Sequence, residues 1–139
     1  MATIYKEFTV EAGVDRVWDA LRDFGAVHRR LAPGFVIDCE ADEDVRTVTF
    51  ANGFVARELL MGIHEPARRL SYTVVGGRAS HHHASAQLFA QGEGRTRFVW
   101  ITDVLPNELG GFIDAMMTQG MEVMKRTLEE GSGSNTQAA

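Results

Sequence analysis

The first residues that suggest chemistry are three consecutive histidines, His81, His82 and His83. Clustered imidazoles are typical of a metal site or of an appended tag, but this run is internal, which argues against a tag. It begins the segment HHHASAQLFA, which lies between two glycine-containing turns and is typical of a β-strand. Because side chains alternate along a strand, His82 points away from its neighbours, and the three imidazoles cannot ligate one ion. Two exposed histidines without a third ligand bind metal weakly, so we predict no metal site and no cofactor, with His81 and His83 in solvent.

Alternation and turn signals divide the rest of the chain into elements. Residues 3–11 alternate and predict a strand, and residues 12–34 change to helical spacing and predict two short helices. From there to Pro106, turn signals such as Asn52-Gly53 and Gly76-Gly77 separate about six further strands. The segment after Pro106 predicts one long helix. Short connections between strands indicate an antiparallel sheet whose apolar face the helix must cover, which is an α+β fold of about seven strands.

Length and charge restrict the class of protein. The 139 residues suit one domain, which we place at residues 1–130, and the Gly/Ser-rich residues 131–139 are expected to form a disordered tail. A net charge of −5 does not suit nucleic-acid phosphates or anionic lipid heads. No apolar run approaches the roughly 20 residues that cross a bilayer, and the alternating N-terminus does not resemble a signal peptide. We therefore expect a cytoplasmic protein with no nucleic-acid partner and no membrane insertion, and homodimer formation is left open.

The order of elements resembles the helix-grip fold of the START/Bet v 1-like superfamily, in particular small bacterial proteins described as polyketide cyclase/dehydrase-like. The likeness extends from Thr3 to Glu130 and rests on VDRVWDAL with Trp18, ARELLMGIHEPARRLSYTVVGG, GRTRFVWITD and MMTQGMEVMKRTLEE. In that superfamily a curved sheet grips the long helix and leaves a deep, mostly apolar cavity between them. The resemblance implies a hydrophobic small-molecule ligand without naming the chemistry, because the superfamily includes enzymes, receptors and carriers.

Strand parity predicts which side chains face that cavity. On three strands the more apolar or aromatic set is placed inward, whereas the parity of FVARELLMGIH is ambiguous. Plant hormone receptors of the same fold carry a similar E-R-L strand whose glutamate points into the ligand cavity, and this likeness places Glu58 inside and sets the register of the helix. Gly120 lies in mid-helix, where glycine costs about 1 kcal/mol relative to alanine, and a missing side chain that faces a ligand would explain it. The predicted ligand-binding residues are Ile37, Glu58, Leu60, Tyr72, Val74, His82, Ala84, Ala86, Phe98, Trp100, Phe112, Met116, Met117 and Gly120.

Two functions are consistent with this inner face. A buried carboxylate needs a partner, and Glu58 with His82 could act as general acid and base on a carbonyl substrate, for example in cyclisation or dehydration of an aromatic or polyketide-like molecule. Alternatively, Glu58 pairs with an arginine at the cavity rim, His82 faces solvent at the mouth, and the protein is a non-enzymatic carrier or sensor. In the plant receptors, equivalent loops gate the pocket. We therefore predict that Asn52-Gly53 and Gly76-Gly77 lie at one end of the sheet, beside His81 and His82, and are more mobile than the strands.

Overall fold

Seven strands and two α-helices make up the fold. The computed structural model describes the backbone of residues 1–138 and the side chains of residues 1–131. The elements are β1 (Ala2–Val10), α1 (Val14–Leu21), β2 (Val36–Asp42), β3 (Val45–Phe50), β4 (Val55–His64), β5 (Arg69–Val75), β6 (His81–Ala90), β7 (Thr96–Leu105) and α2 (Gly110–Ala138). Short 3-10 turns lie at Phe24–Ala26 and Asn107–Leu109. The predicted tail falls, apart from Gly131, outside the residues whose side chains are described, and it stays a prediction.

The strands form a single antiparallel sheet in the order β1-β7-β6-β5-β4-β3-β2. The sheet curves around α2, whose Met117, Met124 and Leu128 are buried against it together with residues of α1. Alternate residues of β6 are buried, as period-two patterning requires of a strand with one face on the core. The predicted α+β helix-grip fold is confirmed. The second short helix is not an α-helix, because the chain forms the 3-10 turn and then a π-helical turn at Val27–Leu31.

Two β-bulges change the parity that simple alternation assumes. In β2 the register shifts between Val36 and Asp38, so Val36 is buried while Ile37 is 56% exposed. The extra residue of a bulge is unpaired and turned out of the alternation, and the inward placement of Ile37 was wrong for that reason. In β4 the register shifts between Leu60 and Gly62. Leu60 stays partly buried against the core, opposite Tyr72.

Two loops that the sequence singled out lie at the same end of the sheet. Loops 51–54 and 76–80 join β3 to β4 and β5 to β6, and alternating strand direction brings both to the same end, next to the start of β6. Backbone hydrogen bonds connect these loops to their neighbours, from Ala51 N to Phe35 O at 3.0 Å and from Ser80 N to Leu105 O at 2.9 Å. The predicted common location of the two loops beside His81 is confirmed, whereas their mobility stays a prediction.

Candidate ligand-binding cavity

An apolar cavity of about 100 Å³ lies between the inner face of the sheet and α2. Its lining includes these residues that the sequence predicts: Glu58, Tyr72, Val74, His82, Ala86, Phe98, Trp100, Phe112, Met116 and Met117. It also includes side chains that the sequence reasoning did not assign to the cavity, among them Leu21, Leu31, Phe35, Arg46, Phe50, Phe54 and Thr102. Ten of the fourteen predicted residues therefore line the cavity, but they are fewer than half of its lining residues. The residues named here that the prediction missed lie on α1, on the segment before β2, on β3, in the β3–β4 loop and on β7.

Four predicted residues do not line the cavity. Ile37 is exposed, Leu60 packs against the core, and Ala84 is buried without being part of the cavity lining. Gly120 is buried on α2, but a Cβ atom placed there would lie 3.0 Å from Cε2 of Phe35 and 3.3 Å from two ring atoms of Trp100. The missing side chain therefore makes room for two aromatic rings and not for a ligand, which corrects the predicted role of Gly120.

The main polar feature of the cavity is an ion pair between Arg46 and Glu58. The two residues are directly opposite in the β3–β4 pair, and Nε of Arg46 donates to Oε1 of Glu58 at 2.7 Å. Both side chains are less than one-tenth exposed, at 8% and 9%. The arginine partner that we considered for Glu58 is thus present, but it is buried and not at the rim. A signal for it was available, since Arg46, Val48 and Phe50 share one face of β3.

Further contacts hold the guanidinium of Arg46 in place. Nη1 donates to the carbonyl oxygen of Phe24 at 3.0 Å, and the guanidinium carbon lies 3.9 Å from the centre of the Phe24 ring and 5.2 Å from that of Tyr72. A buried ion pair is tolerated only when its geometry is good and additional hydrogen bonds satisfy it. Cation–π contact with two rings adds to this support. The 3-10 turn that carries Phe24 therefore positions the charge that faces the cavity.

Tyr72 and Trp100 form a second polar contact on the inner face. Nε1 of Trp100 donates to the hydroxyl oxygen of Tyr72 at 3.3 Å. Burial, followed by the negative charge of Glu58, raises the pKa of Tyr72 above its usual range. The phenol is consequently neutral at physiological pH, and its hydroxyl hydrogen remains available for another acceptor.

His82 lies on the cavity wall but forms no hydrogen bond with Glu58. Within residues 1–131 no hydrogen bond joins the two side chains, and the partner of Glu58 is Arg46. In the strand register, Glu58 on β4 lies opposite Val74 on β5. Strand β5 therefore separates Glu58 from β6, which carries His82. An acid–base pair that shares one proton is therefore not formed in this conformation. The separate catalytic roles of Glu58 and His82 stay predictions.

The two outer-face histidines differ in exposure. His81 is exposed as predicted, whereas His83 is partly buried and lies opposite Asp103, whose carboxylate accepts a hydrogen bond from the Thr3 hydroxyl at 2.6 Å. In the part of the chain with described side chains, no group of three or more His, Cys, Asp or Glu residues has the arrangement of a metal site.

The environment of His82 predicts a pH effect on stability. Burial, followed by the nearby His81, lowers the pKa of His82 below 6.5. As pH falls through about 6.5 the unfolded chain binds a proton that the folded protein resists, so acidification destabilises the fold. We expect His82→Gln to reduce the loss of melting temperature between about pH 7.5 and about pH 5, measured by circular dichroism.

The matched control for this effect is His83→Gln, one residue away on the outer face. It should preserve the pH slope of the wild type. Equal slopes for wild type and His82→Gln would show that the buried imidazole does not contribute.

An aromatic cluster lies where the β3–β4 hairpin meets α2, beside the cavity. Ring centroids of Phe35 and Phe50 are 5.2 Å apart, those of Phe50 and Phe54 are 6.0 Å apart, and those of Phe54 and Phe112 are 5.6 Å apart. Nδ2 of Asn52 also lies 3.4 Å from Sδ of Met116. The β3–β4 hairpin thus contacts α2 directly over the cavity. Pockets for drug-sized ligands are roughly 300 Å³ or more, so a larger ligand requires this cluster to move.

Comparison with known proteins is consistent with this arrangement. The model of the family described as "Polyketide cyclase / dehydrase and lipid transport" matches residues 1–131. The chain belongs to this family. No curated protein matches the sequence significantly. The helix-grip architecture agrees with the resemblance to the START/Bet v 1-like superfamily. Within the described residues no helix is long and apolar enough to span a bilayer.

Solved structures share this family fold at low sequence identity. A protein from Thermobifida fusca is 23% identical with a TM-score of 0.76, over 96% of this chain and 95% of its own. A START superfamily protein from Mycobacterium smegmatis is 14% identical with a TM-score of 0.71, over 95% and 97%. Norcoclaurine synthase from Thalictrum flavum, in complex with dopamine and hydroxybenzaldehyde, is 15% identical with a TM-score of 0.70, over 93% and 84%. At these identities the likeness shows the fold alone.

Proposed function

We propose that this family member reversibly binds a small hydrophobic molecule, with an aromatic ring in the cavity between the sheet and α2. The observation that carries the proposal is the lining, which is aliphatic, aromatic or methionine apart from a few polar groups. Binding sites for small molecules are typically apolar concavities with a small number of placed polar groups. Methionines such as Met116 and Met117 suit ligands of varied shape, because their side chains adapt.

The size of the cavity defines the first ligand to test. A cavity of about 100 Å³ is smaller than the ~150 Å³ of an engineered cavity that binds benzene. A ligand with a single aromatic ring is therefore the first to test, and its binding requires the lining to adjust. A polycyclic ligand, such as an aromatic polyketide, would require the Phe54–Phe112 contact to open.

Titration with α-methylstyrene, an apolar single-ring compound, tests the proposal. Backbone amide NMR shifts should change and saturate for residues around the cavity, including Tyr72, Trp100 and Met116. Hydrogen exchange in loops 51–54 and 76–80 should slow on binding, because a ligand that the mouth encloses favours the closed loops. Absence of saturable shifts at the solubility limit would contradict binding in this cavity.

The contact between Phe54 and Phe112 should limit how fast a ligand enters. Replacing Phe54, which is 41% exposed, with alanine removes one ring of the mouth and leaves the buried core intact. We expect α-methylstyrene to associate roughly tenfold faster with Phe54→Ala, because opening no longer breaks an aromatic contact of about 1 kcal/mol or more. NMR line-shape analysis measures the rate. The control is Phe89→Ala, which removes a similarly exposed ring outside the cavity lining; an equal change in that variant would exclude a gating role for Phe54.

Carrier or sensor action is favoured over catalysis by one contact. Glu58 is bound by Arg46 and forms no hydrogen bond with His82, so the binding role needs no rearrangement of polar groups, whereas the acid–base role does. Conversion of a ligand with loss of activity in both Glu58→Gln and His82→Gln would support the enzymatic alternative. The cytoplasmic location, the lack of a nucleic-acid partner and the open question of a homodimer rest on composition and stay predictions.

A further inference from the structure

Arg46 keeps hydrogen-bonding capacity that the protein does not use. Its Nε donates to Glu58 and its Nη1 to Phe24, and within residues 1–131 no hydrogen bond is formed by Nη2 or by Oε2 of Glu58. Among the described side chains, the one fully buried nitrogen or oxygen atom without a partner is Nδ1 of His28. Nη2 and Oε2 therefore retain accessible surface, and because both residues line the cavity, that surface faces the ligand space.

The charge of the cavity decides which ligand can use this donor. Arg46 and Glu58 are the charged side chains in the lining, and they neutralise each other. Burial keeps the phenol of Tyr72 uncharged, and it disfavours the protonated form of His82. A carboxylate entering the cavity would lose its hydration without a free counter-charge and would face Oε2 of Glu58. The effective cost of burying such an ion is several kcal/mol, larger than the gain from one hydrogen bond.

A neutral carbonyl oxygen avoids both costs that a carboxylate meets, which are the loss of ionic hydration and the repulsion by the charged Oε2 of Glu58. It brings no net charge, its desolvation is milder, and it accepts a hydrogen bond from a cationic donor, which is stronger than a bond between neutral groups. We propose that the cavity selects neutral aromatic carbonyl compounds over aromatic carboxylates, with the carbonyl oxygen bound to Nη2 of Arg46. This selectivity rests on the proposed binding function and defines its ligand class.

Three probes of nearly the same shape test the selectivity. Acetophenone, benzoate and α-methylstyrene share a phenyl ring and a planar substituent, and they differ in carrying a neutral acceptor, an anion or no acceptor. NMR titration near pH 7 should show acetophenone binding about tenfold tighter than α-methylstyrene, and benzoate weaker than both. In the charge-neutral double variant Arg46→Met/Glu58→Leu, α-methylstyrene should still bind. Acetophenone and α-methylstyrene should then bind with about the same affinity.

The outcomes separate the selectivity from the binding function. If α-methylstyrene binds and acetophenone binds no tighter, or if benzoate binds tightest, the assignment to Nη2 of Arg46 is wrong while the binding function stands. A preference for acetophenone that survives in the double variant also overturns the assignment. If none of the three compounds produces saturable shifts in the wild type, the binding function fails, and the selectivity fails with it.

Discussion

Arg46→Met should unfold far more easily than the wild type, with a loss of about 3–5 kcal/mol in the free energy of unfolding. The variant leaves the carboxylate of Glu58, 9% exposed, without its counter-ion in an apolar cavity. It also removes the hydrogen bond to Phe24 and the stacking on its ring. Urea denaturation followed by circular dichroism measures the effect, which should appear as a lower midpoint with an unchanged slope.

The double variant Arg46→Met/Glu58→Leu is the matched control for that loss. Replacing a buried ion pair by apolar residues of similar volume is often neutral or stabilising, so most of the lost stability should return. A double variant as unstable as Arg46→Met would show that the contacts with Phe24, and not the unpaired carboxylate, account for the effect. Recovery would support retention of the pair for ligand recognition, since stability alone does not require it.

Gly120→Leu should abolish binding of α-methylstyrene. The new Cβ begins 3.0 Å from the Phe35 ring and 3.3 Å from the Trp100 ring, closer than ordinary contact, so both rings must shift. The interior offers little other free volume, and the rings and the leucine side chain fill the cavity of about 100 Å³. We expect affinity to fall by roughly tenfold or more, because a filled cavity leaves no contacts for the probe. Overpacking should cost about 1–3 kcal/mol, which exceeds the ~1 kcal/mol gained in helix propensity.

Gly111→Leu provides the matched control on the same helix. A Cβ at Gly111 meets no atom within 4 Å, so this variant changes helix propensity without touching the cavity. It should bind the probe as the wild type does. Unchanged affinity in Gly120→Leu would mean that Phe35 moves outward through the mouth and leaves the cavity open.

The fold was predictable because it depends on patterns that repeat along the chain. The turn at Asn52-Gly53, the alternation in β6 and the long apolar helix each specify one element, and sequential hairpins leave few alternatives for the sheet. On β5, β6 and β7, where alternation is regular, the residues that we placed on the inner face are buried or partly buried, although Ala84 does not line the cavity and Thr102 was missed. The inward placement of Ile37 was wrong, because a β-bulge adds a residue that no local pattern in VIDCEAD indicates.

The parts of the site that sequence reasoning missed depend on contacts between distant segments. Gly120 leaves space for the ring of Phe35, which contacts it from the loop before β2. The sequence around either residue does not indicate this contact. Arg46 appears as one charge in an alternating strand, and its burial makes sense only with Glu58 opposite and the Phe24 carbonyl above it. Pairing of buried charges is a tertiary property, whereas the face of a strand is a local one.

The position of β1 next to β7 has a consequence for how the chain acquires its structure during synthesis. Ala2–Val10 leaves the ribosome before the other strands of the sheet, yet its partner Thr96–Leu105 emerges after them. Until then β1 lacks its partner, and closing so long a loop carries an entropic cost that slows folding. The hairpins from β2 to β6 can form as they appear, but the sheet is completed, and α2 is enclosed, only after β7 and α2 have emerged. Ending the chain before β7 should therefore remove the fold as a whole and leave no stable N-terminal part.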